Sequence, residues 1–275
     1  MSLFGKRKLL APIALTPLMA WVLFPVVVML LTSLKSPQDT AVGADRWLPS
    51  TWRFDNFIEV WRRTPLARYL VYSCLIASGA TVAAVLVALP AAYALARLRF
   101  PGRRPVLFAL LTTQMFSPVV VIIGLTQTMN MLQLGETYAG LILVYAAFNL
   151  AFAVWMLMGY FTTLPTELDE AAMIDGCSRW RVVTRILLPL ARPGVVTVVV
   201  FVFIAAWNEF VVALAFTSGK PICPLSVGIL DFFQQYEILW HYLMAAALIA
   251  TVPVVVLFLA VEKQLVRGLT AGAIR

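Results

Sequence analysis

The side chains able to do bond chemistry are few in this chain and poorly placed for it. A hydrolase would need a buried nucleophile with a base, and the single histidine, His241, sits between Trp240 and Tyr242 at the end of an apolar run. An interfacial aromatic neighbourhood is the expected setting for that imidazole. Cys74, Cys177 and Cys223 are widely separated, with no Cys-x-x-Cys pair or Cys/His cluster, so neither a disulfide framework nor a metal site is expected. No glycine loop of the phosphate-cradling type occurs, which excludes ATP binding by that device. No catalytic residue is assigned. What stands out is the longest well-charged island of the chain, Glu170 to Pro189.

The elements that must position this island are apolar. Hydrophobic residues make up 62% and charged residues 12% of the 275, against roughly 45–50% and about 25% in soluble domains. So few charges cannot cover that much apolar surface in water, whereas lipid can solvate it. The composition therefore predicts an all-α integral membrane protein. The net charge of +8 is read as the basic excess that gathers on cytoplasmic span ends, not as a nucleic-acid surface.

Six spans are predicted, over 9–34, 69–96, 105–131, 138–161, 193–216 and 242–261, in one domain covering 1–275. Lys6, Arg7 and Lys8 precede a charge-free first run too long for a signal-peptide core, so it is expected to be retained. Arg97, Arg99, Arg103 and Arg104 mark one inner loop, and Arg179, Arg181, Arg185 and Arg192 another. Fourteen of the 21 basic residues fall on inner segments, giving an N-in/C-in topology. The cytoplasmic segments are then the loop 162–192 between spans four and five and the tail 262–275. In the outer segment after span one, Phe54, Phe57, Ile58 and Trp61 form a helical apolar stripe suited to the membrane surface.

Within the loop, Thr166 and Asp169 have the spacing of a capping box, and acids at 167, 169 and 170 suit a helix N-terminus. Asp175-Gly176 is a stop, because glycine supplies the left-handed terminal conformation. A second helix is expected from Ser178, with Trp180, Val183 and Leu187 on one face and Pro189 as its end. Two short helices joined by a glycine elbow result.

Glu170-Ala171-Ala172, Gly176 and Ile186-x-Leu188-Pro189 fill every fixed position of the spacing EAA-x3-G-x9-I-x-L-P. In this the chain resembles the permease subunits of bacterial ABC importers. Thr32-Ser-Leu-Lys35, Phe54-Asp-Asn-Phe57, Ala206 to Leu214 and Val266 to Ala273 resemble the maltose-type carbohydrate branch, in its smaller six-span partner. The resemblance implies a coupling helix at Glu170, Ala171, Ala172 and Asp175 that docks on a separate ATPase. Gly176 would be its elbow, and Ile186, Leu188 and Pro189 would hold the second helix to the membrane domain. It further implies tail contacts to the ATPase from Gly268, Leu269, Thr270 and Gly272. The implied partners are a second permease subunit, an ATPase dimer, an extracytoplasmic solute-binding protein and the bilayer of a bacterial inner membrane, with no nucleic acid. No cofactor is expected on this chain, ATP and Mg being used by the ATPase.

Polar residues inside the spans are candidates for a translocation path or a permease interface. Glu209, beside Asn208, lies about 15 residues along span five, or roughly 22 Å from its inner end. An intramembrane carboxylate points to function by default, yet lining a subunit interface or satisfying a freed backbone group is the preferred account over direct substrate contact. Gln114, Ser117 and Asn149 could face a path or make helix–helix hydrogen bonds. An ion-coupled secondary transporter is the competing class. It would need ionisable relays near the midplane, which only Glu209 approaches, and it would leave the island without a purpose.

Overall fold

The structure is a computed structural model that describes residues 3–41, 46–217, 222–233 and 238–271, with side chains over 16–40, 46–217, 222–233 and 238–262. It is almost entirely helical, and among the described residues the only β-pairing is an isolated bridge between Phe233 and Ile238. Among the described residues, four helices are long and apolar enough to cross a membrane, over Thr16–Ser33, Leu66–Arg97, Tyr138–Thr163 and Trp240–Glu262. Two further apolar pairs are sharply bent, so up to six crossings are available if each pair is one span.

The chain divides into two compact units, residues 1–68 with 228–252, and residues 69–227 with 253–275. In the first, α1 (Leu3–Ser33) leads into a loop carrying α2 (Pro37–Ala41) and α3 (Asn56–Arg63). Buried carbonyls need donors, and Asn56 supplies two: its Nδ2 donates to Ser33 O at 2.8 Å and Lys35 O at 2.9 Å. Asp39 is the loop's other organiser. Its Oδ2 accepts from the Ser50 hydroxyl at 2.7 Å, the Ser36 hydroxyl at 2.9 Å and the Ser50 N–H at 3.1 Å. The Ser50 hydroxyl, with help from Ser36, outweighs burial and holds the Asp39 carboxyl down at about 2. The apolar stripe on α3 stays open, with Phe54, Ile58 and Trp61 exposed, while Asn56 and Val60 face inward. His241 is buried against Tyr242, ring centres 4.1 Å apart, and its Nδ1 is 3.5 Å from Thr40 Oγ1.

The second unit holds the packed bundle. Its core runs through Ala84, Ala88 and Ala92 of α4 (Leu66–Arg97), Ala153, Leu157 and Phe161 of α7 (Tyr138–Thr163), and Val198 and Val202 of α11 (Arg192–Trp207). Alanines four apart let helix backbones approach where lipid gives no hydrophobic drive. Gly194 permits closer contact still, since a Cβ there would stand 2.4 Å from the Tyr160 ring.

Two expected spans are not single helices. The 105–131 run is α5 (Arg103–Thr113) and α6 (Pro118–Met131), inclined by 100°. Pro118 forces Ser117 into an extended conformation (φ −68°, ψ 137°), so the run breaks there. The 193–216 run is α11 followed, after Asn208–Phe210, by α12 (Val211–Thr217). α13 (Leu225–Gly228) and a 3₁₀ turn Ile229–Phe232 precede α14 (Trp240–Ala271), which continues as helix well past 261.

Candidate functional site

The island begins where α7 ends. Pro165 holds Leu164 extended (φ −81°, ψ 140°), and α8 (Glu167–Ile174) starts three residues later. Glu167, Asp169 and Glu170 occupy its first turn, where the open N–H groups favour negative charge. The capping box does not form. Thr166 is already helical (φ −72°, ψ −25°), and its side chain makes no cap bond.

Asp169 is instead drawn across to the last residue of α4. Arg97 Nε lies 2.7 Å from Asp169 Oδ2, with the two side chains only 6% and 8% exposed. The same guanidinium donates through Nη2 to Leu164 O at 2.9 Å and Pro165 O at 3.3 Å. Burial pushes the Asp169 carboxyl above its usual range, and the charge of Arg97 pulls the other way.

At the far end α8 closes as a full Schellman motif. Cys177 N–H donates to Ala172 O at 2.9 Å and Gly176 N–H to Met173 O at 3.1 Å. Gly176 has φ +78°, the left-handed region that the Asp-Gly pair predicts. The second limb is less regular than its sequence suggests. α9 (Arg179–Arg181) runs into a π turn, Val182–Leu187, and then α10 (Leu188–Leu190). Pro189 has no N–H to give the Arg185 carbonyl, and just before it the Leu188 N–H reaches back five residues to Val183 O. Val183 and Leu187 are buried with Val182, but Trp180 is 60% exposed, so the expected shared face does not hold. Pro189 lies inside the last helical turn, and the bend follows at Ala191, with α11 setting off at 85°.

α8 therefore has two faces. Asp169 and Ala172, three apart, are buried against the bundle. Glu170, Ala171, Ile174, Asp175 and Gly176 are open to solvent, Ile174 at 85% exposure. Ile186 packs partly on the core, Leu188 is half-buried, and Pro189 is exposed. Arg97 is the functional side chain that sequence reasoning passed over, since among four clustered arginines it reads only as an orientation marker.

The intramembrane candidates do not gather in one place. Glu209 stands in the break between α11 and α12, where its Oε1 accepts from the Val212 N–H at 2.7 Å. Its own carbonyl accepts from the Ser226 hydroxyl at 2.8 Å. Asn208 Nδ2 donates back to Ile204 O at 3.0 Å, and Asn149 Nδ2 to Tyr145 O at 2.8 Å. Gln114, at the end of α5, donates from Nε2 to Phe148 O at 3.3 Å, and Ser117 is exposed before α6. Each is thus engaged with backbone or sits at a helix end. Gly268, Leu269 and Thr270 belong to the α14 backbone, with side chains outside the described residues, and Gly272 lies outside them altogether.

A multi-pass helical membrane protein, with broken spans and a short-helix loop clamped to its bundle, is the class that fold and site define. Comparison with known proteins narrows it. Residues 84–271 match the family of binding-protein-dependent transport system inner membrane components, and the chain belongs to that family. It is 34% identical to the sulfoquinovosyl glycerol transport system permease protein SmoH of Agrobacterium fabrum, over 100% of this chain and 96% of that one. It is 39% identical to the trehalose/maltose transport system permease protein MalG of Thermococcus litoralis, over 80% and 81%. Among solved structures, a chain of a bacterial ABC transporter that imports the polysaccharide alginate shares the fold. Its TM-score is 0.80 at 19% identity, covering 96% of this chain and 98% of that one. The family to which the chain belongs is one of transport-system components.

Proposed function

We propose that this chain is one permease subunit of an ATP-driven importer that carries a sugar or sugar-like solute inward by alternating access. Permeases named for trehalose, maltose and sulfoquinovosyl glycerol, matched over most of their length, support the carbohydrate class. Six N-in/C-in crossings place the 162–192 loop and the end of α14 in the cytoplasm of a bacterial inner membrane. There the loop meets a separate ATPase dimer, which uses ATP and Mg, while this chain binds no cofactor. A second permease completes the pathway, and an extracytoplasmic solute-binding protein delivers the cargo.

The observation that carries this reading is the open face of α8. Glu170, Ala171 and Ile174 stand free of the bundle, on a helix fixed from behind at Asp169 and Ala172. A helix with small and apolar residues exposed and its rear face anchored is built to be gripped. The ion-coupled alternative gains nothing from the structure, since Glu209 serves as a helix-end acceptor.

The test is co-purification with the ATPase encoded beside this permease. Gly176→Asp, which strains a left-handed position and adds charge at the elbow, should release the ATPase and abolish uptake. Uptake that persists in that variant and ignores ATP depletion would sink the importer reading. A panel of labelled sugars offered to the neighbouring solute-binding protein then identifies the cargo by what it retains.

A further inference from the structure

We infer that Arg97 is the positioning residue that makes α8 and the inner ends of α4 and α7 move as one body, passing a displacement of α8 into the transmembrane bundle. The inference rests on the coupling reading above and adds the route by which the force travels. α8 is joined to the chain by two soft links. At its start, Leu164 is extended, and the carbonyls of Leu164 and Pro165 follow the last turn of α7 with no helical partner. At its end stands the left-handed elbow at Gly176. A force applied to such a helix is absorbed in the links unless something braces it to the bundle.

Arg97 is that brace. It is the last residue of α4, and its guanidinium contacts the Asp169 carboxylate of α8 and the two carbonyls that close α7. A planar fork of donors can hold the two carbonyls in fixed directions while its charge pairs with the carboxylate, as a lysine ammonium on its flexible stem cannot. Burial shields the ion pair from solvent screening, and neither Arg97 Nε nor Asp169 Oδ1 has a hydrogen-bond partner among the described residues, so charge holds this contact. Ala172 is the other buried residue of α8, and an alanine contact resists separation and sliding only weakly.

The complete importer in proteoliposomes tests this, with the labelled sugar retained by the binding protein as the probe. The variants are Arg97→Lys and the double neutral change Arg97→Gln with Asp169→Asn. The double change leaves no unpaired buried charge, so folding and ATPase attachment should stay at the wild-type level. Sugar moved per ATP hydrolysed should fall at least tenfold in the double variant and severalfold in Arg97→Lys. Unchanged transport per ATP in the assembled double variant would overturn the inference. So would a loss that merely tracks the amount of assembled complex in both variants. If Gly176→Asp leaves the ATPase attached and uptake intact, the coupling reading itself fails. If Gly176→Asp releases the ATPase while the Arg97 variants transport normally, only the brace is wrong.

Discussion

Adjacent alanines in α8 are chemically identical and structurally opposed. Ala172 is 6% exposed and packs into the bundle core, whereas Ala171 faces solvent. Ala172→Leu should therefore overpack the junction and cost about 1–3 kcal/mol, read as a lower melting temperature of the purified chain. Ala171→Leu should leave stability within about 0.5 kcal/mol of wild type while weakening ATPase co-purification. Equal effects of the two changes on stability would contradict the two-faced helix. The motif presents both alanines as one unit, so their division could not be read from spacing. Gly176 could, because an Asp-Gly pair after a helical run has few other conformations open to it. Asp169 was legible as a first-turn acid but not as an ion-pair partner, since Arg97 lies 72 positions earlier in the sequence, and only the tertiary fold brings them together.

Among the elements, length and hydropathy revealed the apolar runs that become the described helices, but not where those runs bend. Pro90 lies inside a continuous α4, while Pro118 opens a new helix after a 100° turn. The residue is the same and the neighbours decide: α4 around Pro90 is packed by Ala88 and Ala92, whereas 111–117 is exposed. The break in the fifth run gives Glu209 its task. If that task is to satisfy an open N–H of α12, Glu209→Gln keeps an acceptor oxygen and should transport sugar normally. Glu209→Ala should cost about 1 kcal/mol of stability, and lose transport accordingly. Loss of transport in Glu209→Gln at full stability would point to the carboxylate's charge in the path instead. The loop between α1 and α4 offers a pH test. Asp39 is held at about 2 against the usual 3.8, so it stabilises the fold fully above pH 3.8 and loses that contribution as pH falls toward 2. The melting-temperature gap between wild type and Asp39→Asn should be constant from pH 7 to 5 and shrink between pH 4 and 2. A gap independent of pH down to 2 would mean that the serine hydroxyls do not hold the ionised form.

For the whole molecule, the decisive quantity is which way the chain crosses the membrane. Composition alone makes it an integral membrane protein, and the described helices supply the crossings. Orientation depends on charge. Lys6, Arg7 and Lys8, the cluster from Arg97 to Arg104, the four arginines from 179 to 192 and the three basic residues of the C-terminal end share one side in this topology. Six of the seven basic residues on the other side lie in 35–68, beside four carboxylates, and short flanks carry more orienting weight than such long loops. Single-cysteine chains, with Cys74, Cys177 and Cys223 replaced by alanine, can read this directly. Trp52→Cys and Leu132→Cys, both at exposed sites, should react with an impermeant thiol reagent added to intact spheroplasts. Phe100→Cys and Ser178→Cys, also exposed, should react only in inside-out vesicles. The reverse pattern would put the open face of α8 on the side without ATP, and the docking role would fail whatever the motif says. Labelling of Ser178→Cys from inside, with protection when the ATPase is bound, would join topology and coupling in one measurement, because Ser178 follows the Gly176 elbow by two residues.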